Sequence, residues 1–195
     1  MIDINNFDEI RPCYNTEINS AIRRLAKEPL FLSILTFLFP SRNINDFIQE
    51  LIRVNTADDL QNQMMHPAIN SIITQTSSGF SFSGFEYLKP DGNYLFTGNH
   101  RDIILDSAIL QIKLLDYGRN TSYITFGSNL LSTPLFKDFG GINKMISVDR
   151  EGAGKEFYFH SLRLSTYIRK LICEEHSSVW IAQRNGRTKD GDDKT

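Results

Sequence analysis

Apolar positions in the first part of the chain recur at helical spacing. Ile18, Ile22 and Leu25 fall on one helical face, and Phe47, Leu51 and Ile52 repeat the pattern. A further helical stretch is expected over Asp58 to Thr74, so residues 16 to about 76 read as helices punctuated by Pro29, Pro40 and Pro67. Small residues then gather at Ser77-Ser78-Gly79 and from Ser81 to Gly84, which reads as a flexible junction.

Beyond that junction short β-rich runs alternate with helical ones. Strands are predicted at Tyr94–Thr97, Ser122–Phe126, Met145–Val148 and Ser178–Ala182, and helices at Ile103–Leu115, Leu130–Asp138 and Lys155–Glu175. In the last helix Phe157, Ser161, Leu164, Ile168 and Leu171 share a face, whose apolar members are expected in the core. The fold class implied is α/β: a central sheet, mainly parallel or mixed, flanked by helices and preceded by an N-terminal helical segment. The division falls near residue 80, with 1–80 helical and 81–195 the α/β domain. No internal repeat and no low-complexity tract interrupts this order.

Composition fits a folded globular chain, with 41% hydrophobic and 23% charged residues over 195 positions. A net charge of −2 with dispersed Lys and Arg leaves no global footprint for nucleic acid, so any anion site must be local. Cys13 and Cys173 form no C-x-x-C pair, and a reducing compartment is the expectation. The acidic start MIDINNFDEIRP is unlike a signal peptide, which points to cytoplasmic residence. The longest apolar run, Pro29 to Pro40, is far short of the roughly 20 residues a spanning helix needs, yet it could lie on a membrane surface.

Functional groups in an α/β half belong in the loops at strand ends. Three segments qualify: Gly98–Asp106, Val148–Lys155 and Gln183–Lys194. In the first, His100 follows a strand and precedes a helix, whose N-terminal partial charge disfavours imidazolium and keeps the ring able to accept a proton. Asp102 or Asp106 could orient it. The plainer alternative makes Asp102 an N-cap, His100 a turn residue and Asp106 a solvated carboxylate. Gly152-Ala153-Gly154-Lys155 is not a phosphate loop, since Asp149 stands at the earlier glycine position and Glu156 follows the lysine. The run Asp190-Gly191-Asp192-Asp193 does not fit an EF-hand either, so no metal is assigned.

The run Asn99-His100-Arg101-Asp102-Ile103-Ile104-Leu105-Asp106 resembles the first block of the glycerolipid acyltransferases. It resembles more closely a bacterial phospholipid-synthesis subgroup with the form His-Arg-Asp-Ile-x-Leu-Asp-Ser. Five residues separate His100 from Asp106, one more than in the family's usual block. Residues so spaced in one helix would diverge, so pairing with Asp106 requires His100 to sit in the loop; were it helical, Asp102 would be the better partner. The stretch from Gly140-Gly141 to Ile146-Ser147-Val148-Asp149-Arg150 is similar to the family's second block, in which the arginine holds the acceptor's phosphate. The stretch Trp180 to Thr188 is similar to the third, with Asn185 where the family has glutamate.

This resemblance implies transfer of a fatty acyl group from an acyl-CoA or acyl-carrier-protein thioester to a hydroxyl of glycerol 3-phosphate or lysophosphatidate. It makes His100 and Asp106 catalytic and gives substrate contacts to Asn99, Arg101, Arg150, Arg184, Asn185, Gly186 and Arg187, with no cofactor and no metal. It also implies a peripheral place on the inner face of the cell membrane, for which Phe31, Leu32, Leu35, Phe37 and Leu38 could supply a surface anchor; the alternative is a buried helix packed on the catalytic domain. Family members continue past the third block, so the α/β domain is expected to be incomplete at its C-terminus. The alternatives are an inactive or weakly active lipid- or acyl-carrier-binding homologue, motivated by Asn185 and the longer spacing, and a thioesterase that uses water.

Overall fold

The computed structural model describes residues 3–149 and 154–183. Its N-terminal segment is helical, as the periodicity predicts. Helix α1 (Asn15–Leu25) buries Ile18, Ala21, Ile22 and Leu25. Glu17 secures its start by accepting from Tyr14 N at 2.8 Å, and Arg23 and Arg24 complement the dipole in its last turn. Helix α2 (Pro29–Leu38) opens on a proline that has no N–H to waste in the first turn. Helix α3 (Ile44–Leu51) is capped by Asn43, whose side chain accepts from Asn45 N and Asp46 N.

Helix α4 (Ala57–Leu60), a π turn (Gln61–Met65) and α5 (His66–Thr76) then run on without a break. Pro67 was expected to punctuate this stretch, but the helix continues through it. Proline removes one N–H and crowds the preceding turn, and the wider π turn just before it makes room. Between α5 and the sheet, residues 77–84 have no regular structure, and Phe82 and Phe85 pack on the Tyr117 ring at 6.1 and 4.9 Å.

The α/β part contains strands β1 (Leu95–Gly98), β2 (Tyr123–Gly127), β3 (Met145–Val148) and β4 (Val179–Ala182). Among the described residues they form one four-stranded sheet in the order β1-β4-β2-β3, and every pairing is parallel. The fold class is thus α/β with a parallel sheet. Each connection is a helix: α6 (Leu105–Asp116), α7 (Pro134–Ile142) and α8 (Gly154–Cys173).

Chain direction across the sheet reverses after β3. Right-handed crossovers therefore set α6 and α7 on one face and α8 on the other. Packing agrees. Ile142 of α7 joins the core of the helical segment with Ile22, Leu25, Phe47 and Leu51, and Ala108 and Ile112 of α6 pack with Ile69 of α5. Tyr167 and Leu171 of α8 form a separate cluster with Ile10, Ile146 and Val179.

Two sequence expectations need correction. The helix predicted over Leu130–Asp138 begins only at Pro134, after a 3-10 turn at Ser128–Leu131, because Thr133 caps it by accepting from Phe136 N. On α8, Phe157 is exposed at 42%, and the deeply buried positions are Arg163, Tyr167 and Leu171. Residues 154–158 at the start of α8 are all exposed, so helical spacing there does not imply burial. Among the described residues no helix is long and apolar enough to cross a membrane.

Candidate functional site

Parallel pairing points the carboxyl ends of all four strands to one edge of the sheet, where open α/β sheets bind ligands. All three segments singled out in the sequence start there. His100 follows β1, Asp149 follows β3 and Gln183 follows β4. Strands β1 and β4 are neighbours, and Gln183 N donates to Gly98 O at 3.0 Å, which starts the third segment beside the first. Strand β3 lies three positions away from β1, roughly 14 Å at the usual strand spacing.

His100 sits in the loop between β1 and α6, outside the helix. Asp106 is the second residue of α6, and its Oδ2 accepts from His100 Nδ1 at 3.1 Å, from Arg101 N at 2.7 Å and from Asp102 N at 2.9 Å. The loop therefore folds back over the carboxylate, which bridges the extra residue in the block. A carboxylate only accepts, so the Nδ1 position carries the hydrogen and Nε2 is the basic nitrogen. The two side chains are 13% and 21% exposed, sheltered enough for the charge interaction to matter.

Between Asp102 and Asp106, the contact to the ring nitrogen belongs to Asp106. Asp102 Oδ1 accepts from Ile104 N at 2.8 Å and Leu105 N at 2.7 Å, satisfying donors at the start of α6. The sequence did not reveal the aromatic wall beside the imidazole. Trp180 lies edge-on to the His100 ring, with centroids 6.4 Å apart, and its Nε1 would stand only 3.4 Å from a Cβ at Gly98. Alternation along β4 could have signalled this, since Val179 packs under α8 and Trp180 must face the other way.

Asn99 and Arg101 are exposed beside His100. Arg150, Arg184, Asn185, Gly186 and Arg187 lie outside the described residues. On α8, His160 Nδ1 lies 3.7 Å from Asp149 Oδ2, a second histidine–aspartate contact at this end of the sheet. Among the described residues no group of three or more His, Cys, Asp and Glu side chains is set to hold a metal ion.

A cavity of about 740 Å³ lies at the opposite, amino end of the strands. Its walls include Thr121, Tyr123 and Lys144, and burial pushes the Tyr123 hydroxyl up to about 12. Lys144, at φ 57°, donates to Asp58 and to Thr121 O, so its ammonium ties the helical segment to the sheet. None of the described site residues, Asn99, His100, Arg101 and Asp106, borders this cavity.

Fold and site together define a parallel α/β protein with a histidine–aspartate pair at the carboxyl end of an edge strand. A comparison with models of known protein families finds no match, and a comparison with curated proteins finds none either.

Proposed function

We propose that the chain is an O-acyltransferase of the glycerolipid type, acting on an acyl-CoA or acyl-carrier-protein thioester and on glycerol 3-phosphate or lysophosphatidate. The carrying observation is the 3.1 Å contact between His100 Nδ1 and Asp106 Oδ2, made from a loop outside the helix. That is the geometry the Asn-His…Asp block requires if its histidine is to act as a base.

In this reading His100 Nε2 takes the hydroxyl proton while the alcohol oxygen bonds to the thioester carbonyl carbon. The C–S bond then breaks, the proton passes to the departing thiolate, and His100 ends as it began. Asp106 holds the ring and stabilises the transient imidazolium. Arg150, Arg184 and Arg187 neutralise the acceptor's phosphate, and Asn185 hydrogen-bonds its hydroxyl.

Peripheral membrane residence forms part of the same proposal. Phe31 and Leu35 of α2 are 2% and 1% exposed and belong to the core, so they are not the anchor. The outward stripe is Leu30, Ile34 and Phe37, exposed at 53%, 38% and 78%. Those three side chains would enter the interface of the inner leaflet.

The test is thiol release from an acyl thioester, with and without glycerol 3-phosphate. The proposal expects release that depends on the phosphate-bearing alcohol and is lost in His100→Ala. Release that ignores the alcohol would mean a thioesterase. Tight ligand binding without turnover would favour a binding homologue, the reading Asn185 supports by replacing a charged group with a neutral one.

A further inference from the structure

Trp180 is the only tryptophan in the chain. Its strand is held in the sheet between β1 and β2, and in that register it lies beside Phe96 of β1. From there the indole reaches towards the carboxyl end of β1, where Nε1 stands 3.4 Å from the point a Cβ at Gly98 would occupy. Apart from the chain neighbours of Gly98, no other atom of the described residues lies within 4 Å of that point, so the glycine leaves open space beside the indole nitrogen.

Trp180 is 7% exposed, yet among the described residues no acceptor takes its N–H, and Nε1 is not sealed from solvent. An indole nitrogen only donates, and a buried one ordinarily has a partner. This one stands beside the candidate base, with the His100 ring edge-on to the indole and the centroids 6.4 Å apart.

We propose that Trp180 Nε1 donates to the carbonyl oxygen of the acyl thioester and to the oxyanion which that oxygen becomes. This role rests on the acyl-transfer reading, which has a base and phosphate contacts but no group for the carbonyl charge. As the alcohol oxygen bonds to the carbonyl carbon, its proton passes to His100 Nε2 and the carbonyl π pair moves onto oxygen, which accepts from Nε1. When that pair returns, the C–S bond breaks, and sulfur leaves with the bonding electrons and takes the proton from the imidazolium. Hydrogen bonds of roughly 2.9 Å, one to Nε2 and one from Nε1, suit two rings so spaced. A fixed donor shielded from water gains strength as charge gathers on its acceptor, which lowers the barrier.

The test uses ligands built on pantetheine, the arm that CoA and the acyl carrier protein share. Calorimetry compares a decanoyl ketone, with a methylene in place of the thioester sulfur, and a decyl thioether, which has no carbonyl. The whole chain should bind the ketone about fivefold more tightly, as one added hydrogen bond implies, and in Trp180→Phe the two affinities should become equal. In alcohol-dependent thiol release, Trp180→Phe should lower kcat about a hundredfold while KM for the thioester stays within about threefold. If Trp180→Phe fails to fold, benzothienylalanine at position 180, of the same shape with sulfur in place of N–H, decides in its stead.

Binding of neither ligand, equal affinities in the wild type, a preference kept without the N–H, or an unchanged kcat each overturns the proposal. His100→Ala should lose turnover and keep the preference for the ketone. A wild-type chain that prefers the ketone but never turns over sinks the acyl-transfer reading and leaves the donor standing, whereas turnover with equal affinities sinks the donor alone.

Discussion

Replacing Asp106 by asparagine removes a charge from the candidate site while keeping its shape. All three hydrogen bonds from His100 Nδ1, Arg101 N and Asp102 N converge on one carboxylate oxygen, and an amide oxygen in its place can still accept them. What disappears is the attraction between carboxylate and imidazolium. At an effective dielectric of about 20, charges 3.1 Å apart attract by roughly 5 kcal/mol. The side chains are 13% and 21% exposed, so solvent screening should leave about half, or about a hundredfold in rate.

The assay is kcat/KM for alcohol-dependent thiol release, with Asp102→Asn as the comparison. Asp102 Oδ1 accepts from Ile104 N and Leu105 N, and the amide oxygen of an asparagine there can still accept both, so Asp102→Asn should retain activity within about threefold. A fall of less than about threefold in Asp106→Asn, or an equal loss in Asp102→Asn, would refute the assignment of Asp106 as the orienting carboxylate.

Other outcomes follow from the packing and the charges. The hydrogen bond from Arg11 holds the Glu17 carboxyl below its ordinary range, so the native state binds fewer protons there than the unfolded chain. That contribution is present at neutral pH and is lost as pH falls through the carboxylate range towards Glu17's lowered value, so Glu17→Gln should flatten the acid limb of stability measured by urea unfolding. Cys13 is half-buried and burial pushes its thiol up, whereas Cys173 is exposed, so mass spectrometry after iodoacetamide treatment at neutral pH should show Cys173 modified first. Phe37→Glu should weaken sedimentation with anionic vesicles several-fold or more while leaving the melting temperature unchanged, because Phe37 is 78% exposed. Leu171→Ala empties a fully buried position under the sheet and should cost about 2–5 kcal/mol by denaturant unfolding.

Local periodicity made the elements legible. The strand at Met145–Val148 was read with its observed bounds, and the other three within one residue at each end, because short apolar runs bounded by turn residues have few other uses. Where cap chemistry was overlooked, the reading slipped. Thr133-Pro134 is a cap followed by a first-turn proline, and it outweighed the apolar pattern that began at Leu130. Phe157 misled for another reason: residues 154–158 at the start of α8 are all exposed, so a periodic spacing there does not report burial.

The candidate site divides in the same way. Its residues could be nominated from the Asn-His-Arg-Asp block, yet the choice between Asp102 and Asp106 depended on where the loop bends, which spacing does not determine. Only the folded loop, with two backbone N–H groups turned onto the Asp106 oxygen, sets the ring against that carboxylate. Trp180 reaches His100 from a strand eighty positions away because β4 inserts between β1 and β2. By itself the chain determined which segments are helix and strand, since that follows from local spacing and caps. Strand order and the meeting of three loop starts at one sheet edge were decided by tertiary packing, which joins residues whose separation no local pattern records.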